Sequence, residues 1–255
     1  MLPCLFCNLV FLRKYVAMGC LLLPLPAMAD TALLAVAANF TDASKALIQQ
    51  FEKTSGHTIT ASYGSTGKLF AQINNAAPFD VFMSADVETV SKLAALGKTV
   101  LATDFAYARG KLVLWSAKPD LFSNGEQYIK AGTYAHLALA NPKTAPYGEA
   151  AQQVLQHLAL WSVVQGKLVT GDSIAQAFQF VATQNAEVGF VAKSQVLAWQ
   201  GGCSWDIPEQ YYAPIIQQAV LLTRAQNNPA AISFLNFLKT EPAKKIIRDF
   251  GYGVD

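Results

Sequence analysis

Four short segments of the chain place small polar residues where an apolar run ends and an amphipathic helix begins. They are Ala37-Ala38-Asn39-Phe40, Gly64-Ser65-Thr66-Gly67, Ala145-Pro146-Tyr147-Gly148 and Gly171-Asp172-Ser173-Ile174. They offer hydroxyl, amide and backbone N–H donors and almost no charge. The first N–H groups of a helix have no acceptor within it, and the helix dipole is positive at this end. If the fold brings these helix starts together, they form an anion site that needs no arginine or lysine.

Three of these segments also have a purely structural interpretation. Asn39 directly precedes a predicted helix, and its simplest role is to cap that helix. The segment 64–67 would also serve as a tight turn without a ligand, and Tyr147 would also serve to pack on the surface of the protein. These alternatives stay open at the level of the sequence.

The fourth segment contains the one acidic residue of the set. Asp172 and Ser173 are typical residues for a helix N-terminus. Asp172 would repel an anion, so we expect it to turn away and cap the helix. The backbone N–H groups near Ser173 and Ile174 would then face the ligand.

The sequence does not fit the common catalytic and nucleotide-binding motifs. The segment 64–68 resembles a phosphate-binding loop, but two residues instead of four separate its glycines, and Leu69 stands where that loop has a hydroxyl residue. The nucleophile elbow G-x-S-x-G is not matched either. His57, His136 and His157 lack the spacing of a zinc site. We therefore expect a binding protein that is not an enzyme and has no cofactor.

Residues 1–29 are predicted to form a secretory signal peptide. Arg13-Lys14 precedes an apolar stretch over 15–25, and Ala27-Met28-Ala29 is typical of a cleavage site before Asp30. The apolar stretch has about 11 residues, whereas a membrane-spanning helix requires roughly 20. We expect the mature protein to be exported to the periplasm.

Three of the four cysteines lie in this leader, which leaves Cys203 in the mature chain and allows no internal disulfide. Ala17-Met18-Gly19-Cys20 has a faint likeness to a lipoprotein processing site. The apolar stretch continues beyond Cys20 rather than ending at it. A lipid anchor at Cys20 is therefore not expected.

Charge and composition exclude a nucleic-acid partner. The chain has a formal net charge of +2, and loss of Arg13 and Lys14 with the leader brings it close to neutral. A nucleic-acid-binding protein normally carries a basic stripe, and the sequence has none. Hydrophobic residues make up 53% of the chain, enough for a large core without disulfides.

Strand and helix patterns alternate along the chain, which indicates an α/β fold with mostly parallel sheets and helices on both faces. The predicted strands are 32–38, 58–63, 80–83, 111–116, 136–140, 167–169, 187–192 and 215–223. The predicted helices are 41–52, 68–74, 87–96, 149–158, 174–183, 229–239 and 242–250. The segment 201–205 is predicted to be a loop.

A late strand and two helices remain after the second α/β unit, which predicts two lobes and a returning chain. We expect crossings near 107–111 and 211–214. The first lobe would comprise 30–108 and the returning segment 212–255, and the second lobe 109–211. The ligand would lie between the lobes, at the carboxyl ends of the strands.

The chain resembles the molybdate-binding proteins of ABC transporters, a group within the two-lobed periplasmic solute-binding family. The resemblance covers 30–255 and rests on five motifs in order: Ala-Val-Ala-Ala-Asn-Phe-Thr, Tyr-Gly-Ser-Thr-Gly-Lys-Leu, Pro-Phe-Asp-Val-Phe-Met-Ser-Ala-Asp, Asn-Pro-Lys-Thr-Ala-Pro-Tyr-Gly and Val-Gly-Phe-Val. It implies a type II periplasmic binding-protein fold. It also implies a monomeric receptor that holds molybdate or tungstate with neutral donors and delivers it to a membrane permease.

By position, the resemblance implies six ligand residues: Ala38, Asn39, Ser65, Thr66, Tyr147 and Ile174. Asn39 falls on the ligand position of the first loop, and Thr66 on the hydroxyl position of the second, with Ser65 beside it. Tyr147 falls in a loop that supplies a backbone or tyrosine contact. Ile174 falls where a backbone N–H donates.

Two positions depart from the pattern of the family. Ala38 is a serine or threonine in some members. Ala192 stands where some members have a tyrosine donor, and Tyr147 would then replace that phenol. The set of donors must therefore differ in detail from that of those members.

Two other functions stay open at this stage. One is a receptor for another tetrahedral oxyanion, such as sulfate, phosphate or chromate, and the other is a secreted α/β hydrolase. An amino-acid receptor is disfavoured, because its site would need an arginine for the carboxylate and an acidic residue for the amine.

Overall fold

Two five-stranded sheets form the centres of two lobes. The computed structural model describes residues 30–254, so the predicted signal peptide and Cys20 lie outside the described residues. In chain order, the strands are β1 (Thr31–Ala37), β2 (Thr58–Gly64), β3 (Val81–Met83), β4 (Phe105–Gly110), β5 (Leu112–Ser116), β6 (Leu137–Ala140), β7 (Leu168–Gly171), β8 (Val188–Ala192), β9 (Cys203–Asp206) and β10 (Ile215–Leu221). The helices are α1 (Thr41–Ser55), α2 (Thr66–Asn74), α3 (Glu88–Ala95), α4 (Gly125–Ala131), α5 (Pro146–His157), α6 (Ile174–Ala182), α7 (Lys193–Val196), α8 (Pro229–Phe237) and α9 (Glu241–Asp249).

The two sheets have the same pattern of strand directions. The first has the order β2-β1-β3-β10-β4 and the second β7-β6-β8-β5-β9. In the first, β1 is parallel to β2 and β3, whereas β10 is antiparallel to both of its neighbours. In the second, β6 is parallel to β7 and β8, and β5 is antiparallel to both of its neighbours. Four strands of each sheet thus run in one direction, and the predicted two-lobed α/β fold with mostly parallel sheets is confirmed.

The chain passes between the sheets twice. Lys111 alone separates β4 of the first sheet from β5 of the second, and the segment 207–214 leads back from β9 to β10. The sequence predicts a crossing from 107 onward, but Tyr107 lies within β4. Residues 105–110 form a strand because β10, which belongs to the returning segment of the chain, pairs with them.

Apolar residues of both lobes pack into one core cluster where the lobes meet. Ala38 and Ala85 of the first lobe share this cluster with Tyr147 and Ile174 of the second. The lobes are therefore closed on each other in this structure, and the starts of several helices lie at their contact.

Local residue choice explains where the site-forming elements begin and end. The strand β1 reads Thr-Ala-Leu-Leu-Ala-Val-Ala and is almost wholly buried, as expected for a central parallel strand. A short 3-10 helix, Ala38–Phe40, follows it and leads directly into α1. Gly56 ends α1 with φ +73°, a left-handed conformation that glycine adopts at little cost.

Besides β4, three elements were not predicted from the sequence, namely β9, α4 and the short helix α7. The predicted loop 201–205 contains the start of β9, in which Trp205 pairs with Leu114 of β5. The helix α4 was missed because it has only seven residues. Its cap is Asn124, whose side chain accepts from the Gln127 N–H at 3.0 Å.

Among the helices of residues 30–254, none has the length and apolar character that crossing a lipid bilayer requires.

Candidate functional site

Four helix starts meet at one small cavity between the lobes. The 3-10 helix after β1 and the start of α2 come from the first lobe, and the starts of α5 and α6 come from the second. All six residues predicted from the sequence line this cavity: Ala38, Asn39, Ser65, Thr66, Tyr147 and Ile174. Other members of the same segments line it as well, namely Ala37, Gly64, Ala145 and Pro146, and so does Ala85, which lies outside the four segments.

The cavity is enclosed. Each of the six residues is at most 6% exposed to solvent. The cavity measures about 10 Å³, close to the space that a single water molecule needs. A ligand can therefore enter only when the lobes move apart, and a bound ligand is shielded from water.

The residues that line the cavity are uncharged, and the electrostatic attraction for an anion comes from backbone. The first N–H groups of α2, α5 and α6 have no acceptor within their helices, and three positive dipole ends meet at the cavity. Pro146 is the first residue of α5 and has no N–H, so the Tyr147 N–H is the first donor of that helix. The Ile174 N–H holds the same place in α6.

Asp172 turns away from the cavity, as expected from its charge. Its side chain is 71% exposed and forms an ion pair with Lys68 of the first lobe at 2.7 Å. It does not cap α6, however. Ser173 is the capping residue, and its Oγ accepts from the Gln176 N–H at 3.4 Å.

The hydroxyl groups of two residues at the start of α2, Ser65 and Thr66, have hydrogens that can be donated to a ligand. In the described part of the chain, the buried Ser65 Oγ has no hydrogen-bond partner. A buried hydroxyl without a partner costs about 1–3 kcal/mol. Thr66 Oγ1 accepts from the Ala85 N–H at 3.2 Å, so its own hydrogen can be donated to a ligand.

The lobes touch at the next residue of α2. The Gly67 N–H donates to the Thr144 carbonyl of the second lobe at 2.9 Å. A Cβ atom at Gly67 would lie 3.1 Å from that carbonyl oxygen and from the Thr144 Cα. A side chain here would make Thr144 move by a few tenths of an ångström, so glycine is favoured by the close approach of the lobes and not by its backbone angles.

Asn39 does not cap a helix, which corrects the structural interpretation given above. The 3-10 helix that separates β1 from α1 places Ala37 and Phe40 at the capping positions, and neither caps with its side chain. The NH₂ group of Asn39 donates instead to Gln217 Oε1 at 2.9 Å and to the Tyr252 hydroxyl at 3.2 Å. Asn39 thus belongs to a buried network behind the cavity.

Tyr147 is buried at the lobe contact and does not lie on the surface. Its hydroxyl accepts from Gln217 Nε2 at 3.4 Å. Burial raises its pKa well above the usual value for tyrosine, and the nearby phenols of Tyr252 and Tyr107 act in the same direction. The phenol therefore stays protonated and remains a hydrogen-bond donor at physiological pH.

Sequence reasoning missed four members of the network: Tyr107, Ser194, Gln217 and Tyr252. The signal for Gln217 was a polar residue within the apolar strand β10. Ser194 lies two residues beyond Ala192, the position that lacks the family's tyrosine, and its Oγ lies 2.8 Å from the Tyr252 hydroxyl. Nothing in the local sequence indicates that Tyr252, near the end of the chain, reaches this place.

The fold and the cavity together define a class of protein. Two α/β lobes that the chain crosses twice, with a closed polar cavity at their contact, are the features of a receptor that captures a small solute by lobe closure. Residues 32–253 match the family described as bacterial extracellular solute-binding protein. The chain belongs to this family.

Several relatives with high sequence identity to this chain are named as molybdate-binding proteins. The molybdate-binding protein ModA of Azotobacter vinelandii is 49% identical over 245 residues, covering 95% of this chain and 97% of that protein. ModA of Rhodobacter capsulatus is 47% identical over 230 residues, covering 90% and 91%. The solved structure of the Azotobacter vinelandii periplasmic molybdate-binding protein matches with a TM-score of 0.85 and 39% identity, covering 88% of this chain and 99% of that one. The resemblance inferred from the five motifs is confirmed, and the relatives are binding proteins rather than enzymes.

Proposed function

We propose that this protein captures molybdate, and tungstate as well, and delivers it to the permease of an ABC transporter. The single observation that carries the proposal is the meeting of four helix starts around a closed cavity with an uncharged lining, which includes the Ser65 hydroxyl, a buried group without a partner among residues 30–254. The names of the similar proteins agree with it. No cofactor takes part.

The six cavity residues supply the ligand contacts in this proposal. The hydroxyl groups of Ser65 and Thr66 donate from the first lobe, together with backbone at Ala38 and Asn39. The backbone N–H groups of Tyr147 and Ile174 donate from the second lobe, and the Tyr147 phenol adds a donor beside Asn39. A hydrogen bond to a charged group contributes about 1.5–3 kcal/mol. Several such bonds in a dry cavity give tight binding without a counter-charge.

The hydrogen-bond donors around the cavity also affect which anion the protein binds. Molybdate, tungstate and sulfate are dianions without a proton at neutral pH, whereas phosphate carries one and needs an acceptor for it. The residues around the cavity offer donors and include no carboxylate. Phosphate is therefore disfavoured, and size must separate molybdate from sulfate. Because a tetrahedral oxyanion is larger than the present cavity, the lobes close around it slightly further apart than here.

The remaining features of the proposal concern the chain as a whole. The proposed first lobe comprises 30–108 with 212–255 and the proposed second lobe 109–211; the strand order of the two sheets supports this division except at residues 109–110, which end β4 of the first sheet. Residues 1–29 direct export to the periplasm and are removed before Asp30. The mature receptor acts as a monomer.

The proposal is tested by calorimetry on the mature protein with molybdate, tungstate, sulfate, phosphate and chromate. We expect molybdate and tungstate to bind most tightly and phosphate least. Thr66→Ala should weaken molybdate binding at least tenfold, whereas the exposed Thr54→Ala, on α1, should not. Tighter binding of sulfate than of molybdate, or unchanged affinity in Thr66→Ala, would contradict the proposal.

A further inference from the structure

Gln217 is completely buried at the hinge, and it does not line the cavity. It lies on β10, next to the point where the returning chain enters the first sheet. A buried amide is costly unless its donors and acceptors are paired. Gln217 is paired on both sides, and its partners belong to both lobes.

Its oxygen is shared by two groups of the first lobe. Gln217 Oε1 accepts from the Asn39 NH₂ group at 2.9 Å and from the Tyr107 hydroxyl at 3.0 Å. Its Nε2 donates to the Tyr147 hydroxyl of the second lobe at 3.4 Å. Gln217 therefore connects two of the proposed ligand residues, one from each lobe, without touching the cavity itself.

A β-bulge places these groups together. Gln217 pairs with Ala108, but Gln218 pairs with Ala106, so Tyr107 is the additional residue on β4. Bulges commonly redirect side chains beside functional sites. Here the bulge lets the Tyr107 hydroxyl reach Gln217 Oε1, and the same hydroxyl lies 3.2 Å from the Ser84 carbonyl oxygen, so both acceptors compete for its single hydrogen.

The direction of these bonds determines what Tyr147 can do. Because the phenol oxygen accepts from Gln217, that bond does not use the phenol's own hydrogen, which stays available for another acceptor such as an anion. The bond from Gln217 also polarises the phenol and strengthens it as a donor. The Asn39 amide is held in one plane by its bond to Gln217 Oε1.

We infer that Gln217 is a positioning residue for the anion site, which holds the Tyr147 phenol and, through the Asn39 side chain, the Asn39 backbone in the orientations that binding requires. This inference rests on the proposed function. It makes the hinge strand β10 part of the binding site, although none of its residues is a ligand. Gln217 acts in the closed state, because its two partners belong to different lobes.

A double-mutant cycle tests the inference. Gln217→Met keeps the length of the side chain and removes its hydrogen bonds, and Tyr147→Phe removes the phenol hydroxyl that Gln217 positions. We expect Gln217→Met to weaken molybdate binding at least tenfold in the otherwise unchanged protein, measured by calorimetry. In the Tyr147→Phe background the loss should be at least threefold smaller. Gln218→Met, at the next position of β10, is the matched control and should leave the affinity unchanged.

The other outcomes are equally decisive. If the loss differs by less than threefold between the two backgrounds, Gln217 has only a structural role and the inference is wrong. If Tyr147→Phe leaves molybdate affinity unchanged while Thr66→Ala weakens it, the inference is wrong and the proposed function stands. If neither variant weakens binding, the proposed site itself is wrong. Should Gln217→Met fail to fold, Gln217→Asn, whose shorter amide cannot bridge both partners, takes its place in the same cycle.

Discussion

Removal of the Ser65 hydroxyl should have opposite effects on the free protein and on ligand binding. In the closed, ligand-free structure this hydroxyl is buried without a partner among the described residues. Its burial costs about 1–3 kcal/mol. Ser65→Ala removes that cost and therefore stabilises the closed free protein. With an anion bound, the same substitution removes a hydrogen bond to a charged group.

The two magnitudes can be estimated separately. A lost bond to a dianion is worth about 1.5–3 kcal/mol, and each 1.4 kcal/mol is about tenfold in affinity. We therefore expect the Kd for molybdate to rise by about 10- to 150-fold. A gain of about 1 kcal/mol in stability corresponds to a rise of about 2–4 °C in the Tm of a domain of this size.

Calorimetry with molybdate and thermal unfolding without it measure the two effects on the same preparations. Ser91→Ala on α3, whose hydroxyl is exposed, is the matched control. It should change neither quantity. A Ser65→Ala protein that is less stable without ligand and binds molybdate as tightly as before would refute the reasoning, because the hydroxyl would then have a structural role.

Four further predictions concern the lobe contact and the buried tyrosines. Gly67→Ala should weaken molybdate binding at least fivefold, because the new Cβ would press on Thr144, whereas Gly166→Ala has open space and should not; unchanged affinity would mean that the lobes need not approach so closely. Asp172→Asn should change the affinity less than threefold in calorimetry, since the exposed pair with Lys68 is a weak one, and the difference should vanish at high salt. The pKa of Tyr147 is raised by burial, so ultraviolet titration should find this phenol protonated in the folded protein at pH 10. Raised tyrosine pKa values also make stability fall as the pH rises above about 10, where tyrosines of the unfolded chain lose their protons first.

The elements that follow a local pattern could be predicted from the sequence. The strand β1 is an apolar run, and the helices α5 and α6 begin at residues with clear start signals, Pro146 and Ser173. The helix-start segments that contain the six cavity residues were found in the same way, but the choice of those six within the segments came from the resemblance to the molybdate-binding family. Their meeting in one cavity followed from the rule that ligands bind at the carboxyl ends of strands.

The network behind the cavity could not be predicted, because its members are distant in sequence. Asn39 and Tyr252 are separated by 213 positions, and their contact depends on where the last helix leaves the end of the chain. The strand β9 was missed for a related reason. Its residues become a strand only because the edge of β5 is available to pair with them.

A site built of neutral donors makes capture of the ligand depend on closure. The proposed donors are divided between the lobes, with Ser65 and Thr66 on one side and Tyr147 and Ile174 on the other. In the open protein each half is hydrated, and half of the donors can hold a dianion only weakly, because water competes equally well for it. Closure brings the two halves together and removes the water, so the full affinity exists only in the closed state. The interlobe bonds through Gln217 and Gly67 form in that same step. Release then needs no change of charge in the site, because separation of the lobes is enough to return both the donors and the anion to water.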